Sequence, residues 1–342
     1  MKIDNKLKQF LLGIPKAELH VHIEGALEPE LAFAIASRNN ISLPFKSPEQ
    51  LRKAYNFNNL QSFLDLYYAV SRILQDENDF YDVAMAYLKR AHLETVRHAE
   101  IFFDPQAHTQ RGVPFKTVLR GIRRASIDAE NEFGISSKLI MCFLRDLSTE
   151  SALEALAQAL IFKDSIVGVG LDSSEIGNPP EKFKAVFDKA RRQGFLTVAH
   201  AGEEGPSEYI WQALEALKVS RIDHGIRCIE DPKLVRKLQS EGIPLTVCPL
   251  SNVKLGIFDT IREHNLKKLL DLGLCVTVNS DDPGYFGGYI LENYIAVTQG
   301  LNLDKNDLYQ IAKNSFDASF LTQEEKRKFV AELDNYMSEY EA

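Results

Sequence analysis

His20 and His22 stand two residues apart in the apolar run Leu19-His20-Val21-His22-Ile23. In an extended strand that spacing sends both imidazoles to the same side. An H-x-H pair also arises by chance in surface strands, so the pair needs partners before it means a metal site. Two are at hand: His200 ends the run Val198-Ala199-His200, and Asp281 follows Val278-Asn279-Ser280. Three imidazole nitrogens and one carboxylate oxygen suit zinc, with one coordination position left for water. The set contains no cysteine, which fits a catalytic site better than a structural one. A zinc ion there would bring the pKa of bound water down to about 7 and make hydroxide available at neutral pH.

These donors share an ion only if the chain gathers the ends of distant strands. Eight short β-rich runs recur, at 17–23, 96–103, 138–144, 166–171, 195–200, 221–225, 244–248 and 274–279. Segments of helical apolar spacing, such as 148–162, 181–192 and 231–241, lie between them. Strand-then-helix alternation implies parallel strands with right-handed crossovers, and eight such units close into a TIM-type (β/α)8 barrel. A doubly wound open sheet would want a glycine-rich phosphate turn after an early strand, whereas the first strand here ends His22-Ile23-Glu24-Gly25. The chain, residues 1–342, is therefore expected to be a single decorated barrel domain. Its one long interruption, about 24–95, contains the amphipathic pattern Phe57-x-x-Leu60-x-x-Phe63-Leu64-x-x-Tyr67 and a second helical pattern at 80–91. Springing from a strand's carboxyl end, it is expected to cap the barrel mouth. Segments 304–314 and 323–341 read as additional closing helices.

Barrel catalysts hang from the carboxyl ends of strands. His20, His22, His200 and His224 occupy such ends, as do Asp281, Asp282, Asp104, Asp146 and Ser251-Asn252. His92, His98, His108 and His264 fall elsewhere, read as solvated or core-satisfied, and receive no role. Asp104, Asp146, Asp172 and Glu175 are expected to be solvated, as acidic loops commonly are. The Phe57, Phe63, Tyr67 and Tyr68 stripe is expected to be a packed helix face, with stacking on a ligand as the alternative. Cys248 precedes Pro249 at the end of an apolar strand and needs no thiol chemistry, since water already supplies a nucleophile.

Composition narrows the class further. Forty basic and 48 acidic side chains leave a net charge of −8, which repels phosphate backbones and anionic headgroups, so nucleic acid and membrane are not expected partners. Four scattered cysteines form no C-x-x-C pair and read as reduced core residues. The only early apolar run, Phe10-Leu11-Leu12, is too short for a signal-peptide core, and a cytoplasmic protein is expected.

The strings Leu19-His20-Val21-His22-Ile23-Glu24-Gly25, His200-Ala201-Gly202-Glu203, Arg221-Ile222-Asp223-His224-Gly225, Cys248-Pro249-Leu250-Ser251-Asn252 and Asn279-Ser280-Asp281-Asp282-Pro283 occur in the order found in adenosine and adenine deaminases. Over nearly its whole length the chain resembles this branch of the amidohydrolase barrels. The resemblance implies that His20, His22, His200 and Asp281 bind one zinc ion per chain and that Glu203 is the proton donor. It makes His224 the histidine beside the attacking water, there to accept or orient its proton, and Asp282 the carboxylate that holds the purine ring. Glu203 would protonate ring nitrogen N1 as water adds at C6, which calls for a raised pKa. Binuclear relatives carry a lysine at the end of strand four; this chain has Leu171-Asp172-Ser173-Ser174-Glu175, so a single metal is expected.

The nucleoside branch usually carries aspartate where this chain has Glu24. One extra methylene is expected to push the carboxylate into the space of a ribose. The stretches Ala26-Leu27-Glu28-Pro29-Glu30 and Asp282 to Tyr289 also resemble the adenine-specific branch. A free 6-aminopurine base, adenine going to hypoxanthine, is therefore the expected substrate, with adenosine the alternative. A catalytically silent metal-binding barrel is the other reading; Glu203 and His224, which a structural metal site would not need, speak against it.

Overall fold

The computed structural model describes residues 5–341; residues 1–4, with which the amino-terminal stretch read above begins, and residue 342 lie outside it. Eight strands, β1 Lys16–His22, β2 Val96–Phe103, β3 Ser136–Leu144, β4 Gly168–Asp172, β5 Leu196–Ala201, β6 Arg221–His224, β7 Leu245–Val247 and β8 Val276–Val278, form one parallel sheet in sequential order. The sheet curls into a (β/α)8 barrel. Closure lies just beyond β8: Asp281 N–H donates to His20 C=O at 3.1 Å, and His22 N–H to Asp281 C=O at 2.9 Å. The backbone that seals the barrel therefore also carries three of the candidate ligands.

Strand limits differ from the sequence pattern where local chemistry intervenes. Pro244 has no N–H to give a ladder, and Cys248 precedes the helix Pro249–Lys254, so β7 is shorter than expected. β6 stops at His224, because His224 (φ 61°) and Gly225 (φ 70°) both turn into the left-handed region. The segment 181–192 opens with a 3-10 turn, Pro180–Phe183, before the helix Lys184–Arg192.

Strand interiors are apolar on the side facing the outer helices. The barrel lumen holds charge instead. Arg221 Nη1 donates to Glu100 Oε2 at 2.5 Å and Nη2 to Leu19 C=O at 3.0 Å, with both side chains fully buried. On the outer side of β1, where it pairs in register with Ala99, Glu18 is a charged exception: it accepts Tyr87 O–H at 2.7 Å and Ser280 N–H at 2.9 Å. Such groups survive burial only because they are paired and hydrogen-bonded.

The helix α1, Asn5–Gly13, precedes the barrel, and the insert between β1 and β2 carries α2 Pro29–Arg38, α3 Pro48–Lys53, α4 Leu60–Ser71 and α5 Glu77–Leu93. Asn59 with Ser62, and Asp76 with Asp79, form capping boxes that start α4 and α5, each cap contributing about 1 kcal/mol. The two helices part company. α4 lies over the strand ends, whereas α5 packs outside on the helix Phe115–Phe133, where a Cβ on Gly121 would fall 2.4 Å from Glu77 C=O. The helix Lys305–Asp317 crosses the β8/β1 seam: Ser315 Oγ accepts Ala17 N–H at 2.8 Å and Asn314 Nδ2 donates to Val276 C=O at 2.9 Å. Among the described residues no helix is long and apolar enough to cross a membrane.

Candidate active site

Alternation along β1 puts His20 and His22 on the lumen side at two depths. A hydrogen bond assigns the His20 tautomer. Thr246 O–H donates to Asp223 Oδ1 at 2.8 Å, so its oxygen accepts His20 Nδ1–H at 2.9 Å and leaves the lone pair on Nε2. His22 Nδ1 faces Asp172 Oδ2 at 3.5 Å and His200 Nδ1 faces Asp223 Oδ2 at 3.6 Å. Carboxylates and a hydroxyl behind the rings thus turn the Nε2 lone pairs inward, the usual support of metal-binding histidines.

The inward atoms crowd together. His22 Nε2 lies 3.1 Å from His200 Nε2, and Asp281 Oδ1 lies 3.1 Å from His20 Nε2 and 3.6 Å from His22 Nε2. Two facing imidazole lone pairs repel unless a cation lies between them, and buried His20 Nε2 has no hydrogen-bond partner. The donor set therefore fits a divalent ion. Burial holds His22 down at about 4 and His200 well below the ordinary imidazole range, so both stay neutral. Burial alone would raise Asp281, but His20 and its neighbours hold that carboxyl well below its usual range. His224 Nε2 sits beside the cluster, 3.5 Å from Glu203 Oε2 and 3.8 Å from Asp281 Oδ2. By proximity alone His20, His200, His224 and Asp281 make a four-donor group within 4.8 Å, and His22, Asp104 and Asp172 a three-donor group.

His224, Asp281 (φ 65°) and Ser173 (φ 72°) all adopt left-handed backbone at strand ends, a conformation costing roughly 1–2 kcal/mol for residues other than glycine. Such strain gathers at functional sites and here aims three side chains into one cavity. Glu203 and Asp282 line it too, together with Phe63, Tyr67 and Tyr68 from α4 and Phe286. Burial, reinforced by Asp281, pushes both the Glu203 and Asp282 carboxyls well above the usual range. Asp282 Oδ1 is buried without a partner, and a Cβ on Gly25 would fall 1.9 Å from it, so only glycine fits at that position.

Several sequence expectations need correction. Glu24 does not enter the cavity: its Oε1 faces His108 Nε2 at 2.7 Å and accepts Asp104 N–H at 3.3 Å, so its extra methylene is spent on that buried contact and not on a ribose site. Asp104, Asp172 and Glu175 are buried, not solvated. Asp104 and Asp172 line the cavity, and burial pushes Asp172 up to about 7. Glu175 accepts four backbone N–H groups, from Gly202 (2.7 Å), Glu203 (3.1 Å), Glu204 (2.8 Å) and Gly205 (2.6 Å). Glu204 accepts Leu60 N–H at 3.0 Å and so ties this loop to α4. Phe63, Tyr67 and Tyr68 are both a packed stripe and cavity wall, and Tyr68 O–H donates to Ser173 Oγ at 3.1 Å. Asp104 and Asp172 were findable, since both sit at strand ends; nothing local marks Glu175.

An eight-stranded parallel barrel with imidazoles and carboxylates clustered at its strand ends is the architecture of amidohydrolase-type metal-binding enzymes. The adenosine deaminase family matches residues 15–336, and the chain belongs to that family. A protein of Hahella chejuensis called adenine deaminase is 60% identical over 98% of this chain and 100% of its own length. One of Chlorobium phaeobacteroides with the same name is 58% identical over 96% of this chain and 98% of its own length. The crystal structure of adenine deaminase from Arthrobacter aurescens superposes with a TM-score of 0.94 at 50% identity, covering 95% of this chain and 100% of that one. An amidohydrolase from Burkholderia ambifaria with bound zinc superposes at 0.91 with 27% identity, covering 99% and 96%.

Proposed function

We propose that this chain hydrolyses adenine to hypoxanthine and ammonia, with one zinc ion held by His20, His22, His200 and Asp281. The observation that carries the chemistry is the convergence of the His20, His22 and His200 Nε2 atoms and the Asp281 oxygen beside the protonatable Glu203. For the substrate, the support is the shared name of relatives 54–60% identical to this chain. Zinc suits the nitrogen-rich donor set and is the metal bound in the Burkholderia amidohydrolase.

When bound, such an ion polarises water so that hydroxide is available near neutral pH. The chain's own residues do the rest. Glu203, its carboxyl raised by burial, delivers a proton to N1 of the purine, which makes C6 electron-poor as the C6–O bond forms. His224 orients the attacking water. Asp282 meets N7, and since a free base shifts its proton between N9 and N7, the carboxyl can be satisfied in either protonation state. Phe63, Tyr67 and Tyr68 wall the cavity and keep bulk water from the reacting atoms. A cytoplasmic site of action fits the four unpaired cysteines.

Purified protein given adenine should show the absorbance change of hypoxanthine formation and release one ammonia per turnover. Faster turnover of adenosine would refute the substrate assignment while leaving the site intact.

A further inference from the structure

His264 lies beyond every strand end and the reaction above gives it no task, yet it is only 3% exposed and connects to His224 through a single residue. Leu266 N–H donates to His264 Nδ1 at 3.1 Å. A peptide N–H can only donate, so Nδ1 carries the lone pair and the neutral ring keeps its hydrogen on Nε2. That Nε2–H points at Asn252 Oδ1, 3.1 Å away. With its oxygen so engaged, the Asn252 amide presents Nδ2 to His224 Nδ1 at 3.4 Å. His224 Nδ1 must accept, and the His224 hydrogen is left on Nε2. The polarity of one backbone amide is thus transmitted across two side chains into the active site. Burial under the Phe258 ring, whose centroid is 4.5 Å from that of His264, keeps the His264 imidazole uncharged.

We propose that His264, acting through Asn252, fixes His224 in its Nε2–H form, so that His224 donates a hydrogen bond to the attacking water and does not take its proton. The inference rests on the reaction proposed above. His264 and Asn252 are positioning residues; only His224 meets the reacting water.

Two consequences follow from the fixed tautomer. A protonated Nε2 has no lone pair for a metal, so His22, and not His224, completes the ligand set, although His224 lies within the nearest four donors. With His224 a donor, the proton must go elsewhere, and its neighbour Glu203 Oε2, 3.5 Å from Nε2, is the acceptor within reach. Glu203 gives its carboxyl proton to N1 as the C6=N1 electron pair moves there and the C6–O bond forms, and takes one proton from the attacking water in return. The adduct's hydroxyl proton then passes to the 6-amino group, the C6–N bond breaks with its electron pair leaving on nitrogen, and ammonia departs as the 6-oxo group forms. Glu203 ends as it began.

The experiment uses the zinc-loaded enzyme, with zinc content measured for each variant. In 15N-histidine-labelled wild type, His224 Nδ1 is expected to resonate as unprotonated and Nε2 as protonated. Asn252→Asp places an acceptor on both sides and should move the His224 hydrogen to Nδ1, lowering kcat by about 100-fold with KM nearly unchanged. His264→Leu should lower kcat by about 10-fold, and His264→Gln, whose amide can donate to Asn252 and accept from Leu266, should restore it to within about 3-fold of wild type. An Asn252→Asp enzyme that keeps or gains kcat would overturn the proposal, because an aspartate on Nδ1 strengthens a histidine acting as base. So would a His264→Gln enzyme as slow as His264→Leu, or a hydrogen on His224 Nδ1 in wild type. Failure of the wild type to deaminate adenine would instead sink the functional assignment, and the resonances alone would then decide the tautomer.

Discussion

Glu175 Oε2 accepts the backbone N–H of Glu203 at 3.1 Å, so the residue proposed to move the proton is seated by a carboxylate from the loop after β4. With the neighbouring Gly202, Glu204 and Gly205 amides also donating to Glu175, the whole turn after β5 is wound around one side chain. Glu175→Gln leaves one acceptor oxygen and sets an NH2 group against N–H donors. Stability should fall by about 1–3 kcal/mol and kcat by roughly 100-fold as Glu203 shifts. Urea unfolding and steady-state rates check this; unchanged kcat would mean that the turn holds its shape without the carboxylate.

Glu203→Gln removes the titrating group while keeping its size. The rate of adenine loss should fall by about 10²–10⁴-fold with zinc still bound. A Glu203→Gln enzyme at wild-type rate would remove Glu203 from the chemistry.

Glu204→Ala deletes the acceptor of the Leu60 N–H at the start of α4. The first turn of the helix over the mouth should loosen by about 1 kcal/mol. Hydrogen exchange at 60–63 should quicken while exchange in the barrel strands does not. Equal protection in both proteins would show that the tie is idle.

Acid sensitivity should trace to the Arg221–Glu100 pair under the site. Burial alone would raise Glu100, but Arg221 outweighs it and holds the carboxyl at about 2, against an ordinary value of 4.5. Between those values the unfolded chain binds a proton that the folded chain refuses, so stability is complete above the unfolded pKa and drains away as pH falls through the window, by about 3 kcal/mol. Glu100→Gln should be less stable at neutral pH, since it leaves Arg221 buried without its counter-charge, yet lose less on acidification. Urea midpoints at about pH 5 and pH 3 compare the two; parallel acid losses would contradict the assignment.

Much of this was legible in the residues because barrels put chemistry at strand ends and strands alternate: His20, His22, His200, Asp281 and Glu203 need only those two rules and an ordered set of motifs. Glu24 was misread because its partner, His108, comes from beyond β2, some eighty residues away. Asp104 and Asp172 looked solvated because nothing in their own segments announces that α4, from a distant insert, would roof them over, and Glu175 because the turn that buries it follows a different strand, β5. His264 shows no local signal at all; its meaning lies in Leu266 and Asn252, and only folding brings its ring between them.

The most direct measurement strips metal from the enzyme with a chelator, titrates zinc back, and follows turnover of adenine and adenosine in parallel with metal content. Activity on adenine should vanish, return in proportion to zinc and saturate at one equivalent per chain, with adenosine remaining the poorer substrate, and His22→Ala should fail to regain the metal. Full adenine turnover by metal-free protein, or zinc held as tightly without His22 as with it, would contradict the account.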